Sequence, residues 1–152
     1  MRLLFSVLLF CLLAGCGSSK KETELEIKKA GLEILKAYSN EDFVNLNKLS
    51  TSENKTLFNK IIKEGKDPSV FKAWKNEAFG IKEWWNGKDD SLEVIFDNKT
   101  DEALVRFMSI PITNEVSALH LIRENGIWRF SSLKNMTRGI WIELREYQIV
   151  YF

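Results

Sequence analysis

The sequence predicts an α+β fold in which several helices precede an antiparallel sheet. From residue 22 to residue 80, apolar side chains recur at intervals of three and four residues, which is the period of an amphipathic helix. From residue 92 onward they alternate with polar side chains, which is the period of a strand with one buried face. Helices grouped before strands are typical of an α+β domain. No internal repeat or long linker divides the chain, so we expect one domain.

The first predicted helix covers residues 22–38. Glutamates occupy its first turns, where the helix dipole favours negative charge. Its apolar stripe consists of Ile27, Ala30, Ile34, Ala37 and Tyr38, broadened by Leu32 and Leu35.

Three shorter helices are predicted next. Residues 41–49 form the second, after an interruption at residues 39–40. Ser50 and Glu53 have the spacing of a capping box, which predicts a third helix that ends at Gly65. Residues 67–68 supply a cap and a first-turn proline for a fourth helix, which ends at Gly80.

The strands are predicted by alternation and by turns. Residues 92–97 and 103–110 form two strands around a turn at 98–101. Residues 116–124 and 127–133 flank Asn125-Gly126, the strongest short hairpin signal in the chain. The tail, residues 139–152, alternates like a strand, although Ile140 and Leu144 have a spacing that would also suit a helix. We interpret the tail as a strand.

The N-terminus has the three-part order of a secretory signal. Arg2 precedes an apolar run at residues 3–13, and small Ala14 and Gly15 follow. A membrane-spanning helix needs about 20 apolar residues, so this run is short for a span.

Leu13-Ala14-Gly15-Cys16 resembles the lipobox of bacterial lipoproteins. That resemblance implies cleavage between Gly15 and Cys16 and acylation of the Cys16 thiol. Residues 1–15 would be the removed signal peptide, and residues 16–21 a flexible lipidated tether. The protein would then be anchored in the bacterial cell envelope through Cys16. In enteric-type lipoproteins an Asp after the Cys signals inner-membrane retention, so Gly17 favours an outer-membrane site facing the periplasm if the cell has one.

Two other interpretations of this segment stay open. One is an ordinary signal peptide with a chance cysteine, and the other is an uncleaved anchor.

The hairpin at residues 119–130, LHLIRENGIWRF, is similar to one frequent in the NTF2-like (cystatin-like) superfamily. With the helices before it, the resemblance covers residues 22–134. It implies a bent antiparallel sheet that wraps the first helix into a cone. We therefore expect one NTF2-like domain at residues 22–152, in which residues 134–152 fit the pattern least well.

Charge and cysteine content exclude several functions. Removing residues 1–15 leaves 137 of 152 residues and removes Arg2. The remaining 21 of the 22 basic side chains then equal the 21 acidic side chains in number. This balance argues against nucleic acid as a partner. Cys11 lies in the signal peptide and Cys16 would be acylated, so the mature domain has no thiol. With His120 as its one histidine, we expect no zinc or iron–sulfur site and assign no metal ligand and no cofactor. An all-carboxylate calcium site stays open, although no loop has the EF-hand pattern.

Candidate pocket residues follow from the same superfamily resemblance. Its enzymes, such as ketosteroid isomerases, place acid–base residues inside the cone. Tyr38 would be a hydrogen-bond donor there, with Asp42 or His120 as its partner, but none matches a catalytic motif of the family, so no catalytic residue is assigned. His120 alternates with apolar neighbours, and its simpler interpretation is a hydrogen-bonded histidine in the core or on the sheet surface.

Trp84 and Trp85 are the remaining candidates. Adjacent residues of a strand face opposite sides, so at most one of them belongs to the core, and the other would line a ligand cleft or lie at a lipid headgroup layer. The simpler interpretation is that both pack against helices at a sheet edge.

The sequence favours a non-enzymatic lipoprotein that binds a small ligand or an envelope protein. The alternative is a lipid-tethered isomerase or dehydratase with its site inside the cone. An open apolar cavity with one of the polar candidates deep inside would favour the enzyme, whereas a filled cone would favour binding or structure.

Overall fold

A computed structural model describes residues 19–63, 92–97, 99–107 and 114–151. They form one α+β domain, as the sequence predicts, with helices before a four-stranded antiparallel sheet. The elements are α1 (Lys20–Ser39), α2 (Phe43–Leu49), α3 (Ser52–Lys63), β1 (Leu92–Asp97), β2 (Glu102–Phe107), β3 (Glu115–Glu124), β4 (Ile127–Thr137) and α4 (Arg138–Tyr147). The predicted fourth helix, Gly15, Cys16, Trp84 and Trp85 lie outside the described residues.

Helix α1 begins at Lys20, two residues before the predicted start. Ser19 is its N-cap and forms a capping box with Glu22: Ser19 Oγ accepts from the Glu22 amide, and the Ser19 amide donates to Glu22 Oε2. Lys20 and Lys21 are therefore helical, whereas the sequence-based prediction includes them in the tether. The buried stripe of the helix is Thr23, Ile27, Gly31, Ile34, Leu35, Ala37 and Tyr38.

The start of α3 differs from the predicted capping box. Thr51 Oγ1, not the Ser50 hydroxyl, accepts from a backbone amide of the first turn, that of Asn54. Ser50 is still the C-cap of α2, and its hydroxyl donates to the Leu46 carbonyl at 2.7 Å. Helix α3 begins at Ser52, so Thr51 takes the N-cap position that the sequence assigns to Ser50.

The four strands lie in the order β1-β2-β3-β4, each antiparallel to its neighbour. Asn125 and Gly126 form the predicted β3–β4 turn, with φ of 52° and 79°, the left-handed values that a two-residue hairpin turn requires. The pairing shifts between His120, which faces Ser132, and Leu121, which faces Phe130. Ser131 is therefore the extra residue of a β-bulge in β4.

The predicted C-terminal strand is wrong, because residues Arg138–Tyr147 form helix α4. Thr137 caps it by accepting from the Ile140 amide. Trp141 and Leu144, three residues apart, are fully buried, whereas Ile140 and Ile142 are 39% and 36% exposed. The apolar alternation at residues 140, 142 and 144 thus does not match the buried face, and the helical period places Trp141 and Leu144 together.

The sheet separates two apolar clusters. The cluster on the α1 side joins that helix and α2 to side chains of all four strands, including Val105, Leu121, Trp128 and Phe130. The cluster on the α4 side contains Ile95, Leu104, Val116, Ala118, Met136, Trp141, Leu144 and Val150. Both faces of the sheet are therefore covered by helices.

Candidate functional site

A groove of about 390 Å³ lies between α1 and the β3–β4 hairpin. We call it the hairpin groove. Its apolar lining is Ala30, Ile34, Leu49, Ile127 and Trp128, its charged lining is Glu26, Lys29, Glu33 and Arg129, and Gly126 also lines it. Its volume is at the small end of the range of small-molecule sites, about 300–1,000 Å³.

The hairpin wall of the groove is fixed by hydrogen bonds to the segment between α2 and α3. The Thr51 amide donates to the Phe130 carbonyl at 2.9 Å. The Asn54 side-chain amide donates to the carbonyls of Phe130 and Ser131 at 3.2 and 2.8 Å. Arg129 Nη1 donates to the Lys48 carbonyl at 3.0 Å. These contacts occupy the outer edge of β4, so the wall is held independently of any ligand.

Trp128 connects the groove to the core. Its side chain is 6% exposed, and the Arg123 guanidinium lies 5.8 Å from its ring centroid. Its indole Nε1 is buried and has no hydrogen-bond partner within the described part of the chain. A buried donor without a partner costs about 1–3 kcal/mol. Trp128 therefore lines the groove with a side chain whose indole nitrogen is closed off from solvent.

Of the four charged lining residues, Glu26 forms an ion pair within the described part of the chain, with Arg123 outside the lining. Glu26 Oε2 lies 3.7 Å from Arg123 Nη2, an ion pair that links α1 to β3. Lys29 and Glu33 are exposed and one helical turn apart, yet neither forms an ion pair with another described residue. Both charges are therefore available to a ligand in the groove.

Tyr38 and Asp42 do not lie in the groove lining. Tyr38 is fully buried in the cluster on the α1 side, where its ring contacts Phe130 edge-to-face at 5.5 Å between centroids. Asp42 is exposed, and its Oδ1 accepts from the Asn45 amide as the N-cap of α2. Tyr38 thus has a packing role, and Asp42 has a capping role.

His120 lies on the other face of the sheet. It pairs with Leu104 of the α4-side cluster, whereas its neighbours Leu119 and Leu121 belong to the α1-side cluster. Its Nε2 donates to Glu102 Oε2 at 2.7 Å. Burial lowers the pKa of His120 below its usual value, and the Glu102 carboxylate offsets part of this effect. The sheet therefore separates His120 from Tyr38, and these two candidates lie in different layers of the domain.

The described residues contain neither a metal-binding cluster nor a membrane-spanning helix. They contain no group of three or more histidine, cysteine, aspartate or glutamate side chains placed to hold a metal ion. Within the same ranges, no helix is long and apolar enough to cross a membrane.

The groove residues were not predicted as a site from the sequence. Trp128 looks like an ordinary core residue there, and Lys29 and Glu33 look like a solvated helix face. The usable signal was the hairpin turn, because Asn125-Gly126 predicts that the residues after it fold back beside β3. Which face of α1 the residues after the turn pack against depends on the tertiary structure. In comparisons with family models, curated proteins and solved structures, no match to this chain was found.

Proposed function

We propose that this protein is a bacterial cell-envelope lipoprotein whose NTF2-like domain binds a small ligand or an envelope protein without catalysis. The lipobox-like Leu13-Ala14-Gly15-Cys16, placed after Arg2 and an apolar run, supports an anchor of acylated Cys16. Two or more acyl chains give a lasting attachment, because each buried CH₂ contributes about 0.8 kcal/mol. Gly17 supports an outer-membrane site facing the periplasm in a cell that has one.

The hairpin groove carries the binding part of the proposal. It has an apolar lining and charged side chains of both signs. A concave apolar site with a few polar groups is the usual form of a ligand site. Ile127 supports the same role, because this large apolar side chain is 53% exposed beside the groove.

The enzyme alternative needs an acid–base group and an oxyanion donor within reach of one substrate. Tyr38 packs in one apolar cluster, Asp42 caps a helix at the surface, and His120 lies across the sheet. No two of these groups line the hairpin groove. Their separation weighs against an isomerase or dehydratase built on them and favours the binding role.

Intact-mass analysis tests the anchor. The chain extracted from membranes should begin at Cys16 and carry the added mass of its acyl groups. The Cys16→Ser variant should lack that mass and partition differently between membrane and aqueous fractions. A mature chain that starts at another residue, or one without added mass, would contradict the anchor.

Site-specific photocrosslinking in cells tests the groove. A photoreactive amino acid at Ile127 should give crosslinks to a partner or ligand. The same amino acid at Tyr147, a 64% exposed position on α4, is the matched control and should not give them. Equal crosslinks from both positions, or none from Ile127, would contradict binding in the groove.

A further inference from the structure

Very little chain separates the proposed lipid attachment from the folded domain. The capping box fixes Ser19 as the N-cap of α1, and the Ser19 amide donates to Glu22 Oε2 at 2.7 Å. Cys16 precedes Ser19 by three residues. Whatever their conformation, three residues span at most about 11 Å. The first turn of α1 is therefore tied closely to the acylated residue.

The headgroup layer takes up much of that span. The hydrocarbon core of a bilayer is about 30 Å thick and the whole bilayer about 40–45 Å, so each headgroup layer is about 5–8 Å deep. The acyl chains hold Cys16 at the inner boundary of this layer. The difference leaves only about 3–6 Å between the headgroup surface and Ser19. The start of α1 therefore stays at the bilayer surface.

The β1–β2 turn lies at the same end of the domain as the start of α1. Lys20 Nζ is 5.9 Å from the centroid of the Phe96 ring, near the end of β1. Lys99 follows in the turn and is exposed. We call residues 19–25 of α1 and its cap, together with residues 99–101 of the turn, the anchor end.

Strand β3 joins the anchor end to the opposite end of the domain. The Arg123 amide, near the end of β3, donates to the Asp101 carbonyl at 2.8 Å. The Asn114 carbonyl, just before β3, accepts from the amide of Arg138, the first residue of α4, at 3.0 Å. The ten residues of β3 span about 30 Å. Arg138 therefore marks the end of the domain that lies away from the anchor.

The exposed side chains of the anchor end suit a headgroup layer. Lys21 and Leu25 are neighbours one helical turn apart, both are exposed, and Leu25 is 68% exposed. An apolar side chain beside cations is typical of a helix at a membrane interface. The charges of the anchor end balance, with three basic and three acidic side chains: Lys20, Lys21, Lys99, Glu22, Glu24 and Asp101. Contact with the bilayer thus needs no anionic lipid.

We propose that the anchor end contacts the headgroup surface of the bilayer that holds Cys16, and that the short step from Cys16 to Ser19 sets this orientation. The inference rests on the lipid anchor proposed above and adds the surface by which the domain meets the membrane. The hairpin groove begins at Glu26, seven residues beyond Ser19, and so starts within about 22 Å of Cys16.

Labels at single cysteines test the orientation. The mature chain has no cysteine besides Cys16, so an introduced cysteine is the only free thiol. Lys21→Cys, Lys99→Cys and Arg138→Cys each replace an exposed cation and take the same fluorophore. The acylated protein is placed in phosphatidylcholine nanodiscs that contain lipids with a nitroxide headgroup. These lipids should quench the labels at 21 and 99 severalfold more than the label at 138. Quenching at 138 that equals the quenching at 21 or 99 would overturn the proposal.

A longer tether is the second test. A flexible insertion of about 20 Gly and Ser residues between Gly17 and Ser18 has a root-mean-square end-to-end distance of about 25 Å. It leaves the capping box of Ser19 in place, so urea denaturation should give the same midpoint as the parent chain. Quenching of the label at Lys21→Cys should fall severalfold, toward that at Arg138→Cys. Unchanged quenching would overturn the role of the short step and the inference with it.

The anchor and the orientation fail in different measurements. A chain without added mass at Cys16 would contradict the proposed function itself. A chain that carries the added mass but gives equal quenching at both ends would overturn the orientation alone and leave the proposed function standing.

Discussion

Gly31 of α1 lies directly against Val105 of β2. A Cβ atom at Gly31 would approach Val105 Cγ1 to 3.0 Å, which is tighter than ordinary contact. The absence of a side chain at this position therefore permits the close approach of α1 to the sheet.

Gly31→Leu should lower the free energy of unfolding by about 1–3 kcal/mol, because the added side chain overpacks the helix–sheet contact. Urea denaturation measures the loss. The loss should be smaller in a Val105→Ala background, where the valine methyl groups are gone. Leu25→Ala on the exposed side of α1 is the control, with little change expected.

Glu124→Ala should lower the free energy of unfolding by about 1 kcal/mol. The Glu124 carboxylate accepts from the Ser52 amide and from Ser52 Oγ, both at 2.9 Å, and so joins the end of β3 to the start of α3. Urea denaturation again measures the effect. Glu146→Ala, at an exposed position of α4, should have almost none, and equal losses would contradict the role of this contact.

Leu144→Ala should cost about 2–5 kcal/mol, because Leu144 is fully buried in the α4-side cluster. Ile142→Ala should cost less than about 1 kcal/mol, because α4 directs that side chain toward solvent. In a strand, residues 142 and 144 would share one face, and the two losses would be similar. The comparison thus separates a helical tail from an extended one.

Stability should fall as the pH is lowered through the usual histidine pKa of 6.5. Burial lowers the pKa of His120 in the folded protein, so the unfolded chain takes up a proton first and is favoured at acid pH. The loss ends below the folded pKa, where both states are protonated. Urea midpoints at about pH 7.5 and 5.5 should differ less in His120→Gln. An unchanged pH dependence would exclude His120 as its source.

Short-range signals predicted much of the fold. The stripe of α1 and the Asn125-Gly126 turn depend on neighbouring residues, and the structure confirms both. The prediction of a strand for the tail was wrong. Residues 140, 142 and 144 have the period of a strand, but Trp141 and Leu144 have the period of a helix. The choice between them depends on burial against the sheet, which no local pattern contains.

The site was less predictable than the fold. The alternation of side chains along β3 places His120 on the face of the sheet opposite to Leu119 and Leu121. It does not say which of the two faces packs against α1. Tyr38 and His120 therefore looked compatible in sequence although the sheet separates them. Trp128, Lys29 and Glu33 line one groove only because α1 lies beside the hairpin, which is a tertiary arrangement.

The bulge at Ser131 reverses which face of the sheet the even-numbered side chains of β4 occupy. Ahead of it, even-numbered Trp128 and Phe130 belong to the α1 layer, and beyond it even-numbered Met136 belongs to the α4 layer. The even-numbered residues of β4 therefore pack into the α1-side cluster before Ser131 and into the α4-side cluster after it. Residues 127–130 could be varied to reshape the groove while residues 132–137 keep their packing, whereas deletion of Ser131 would turn the side chains of residues 132–137 to the opposite faces of the sheet.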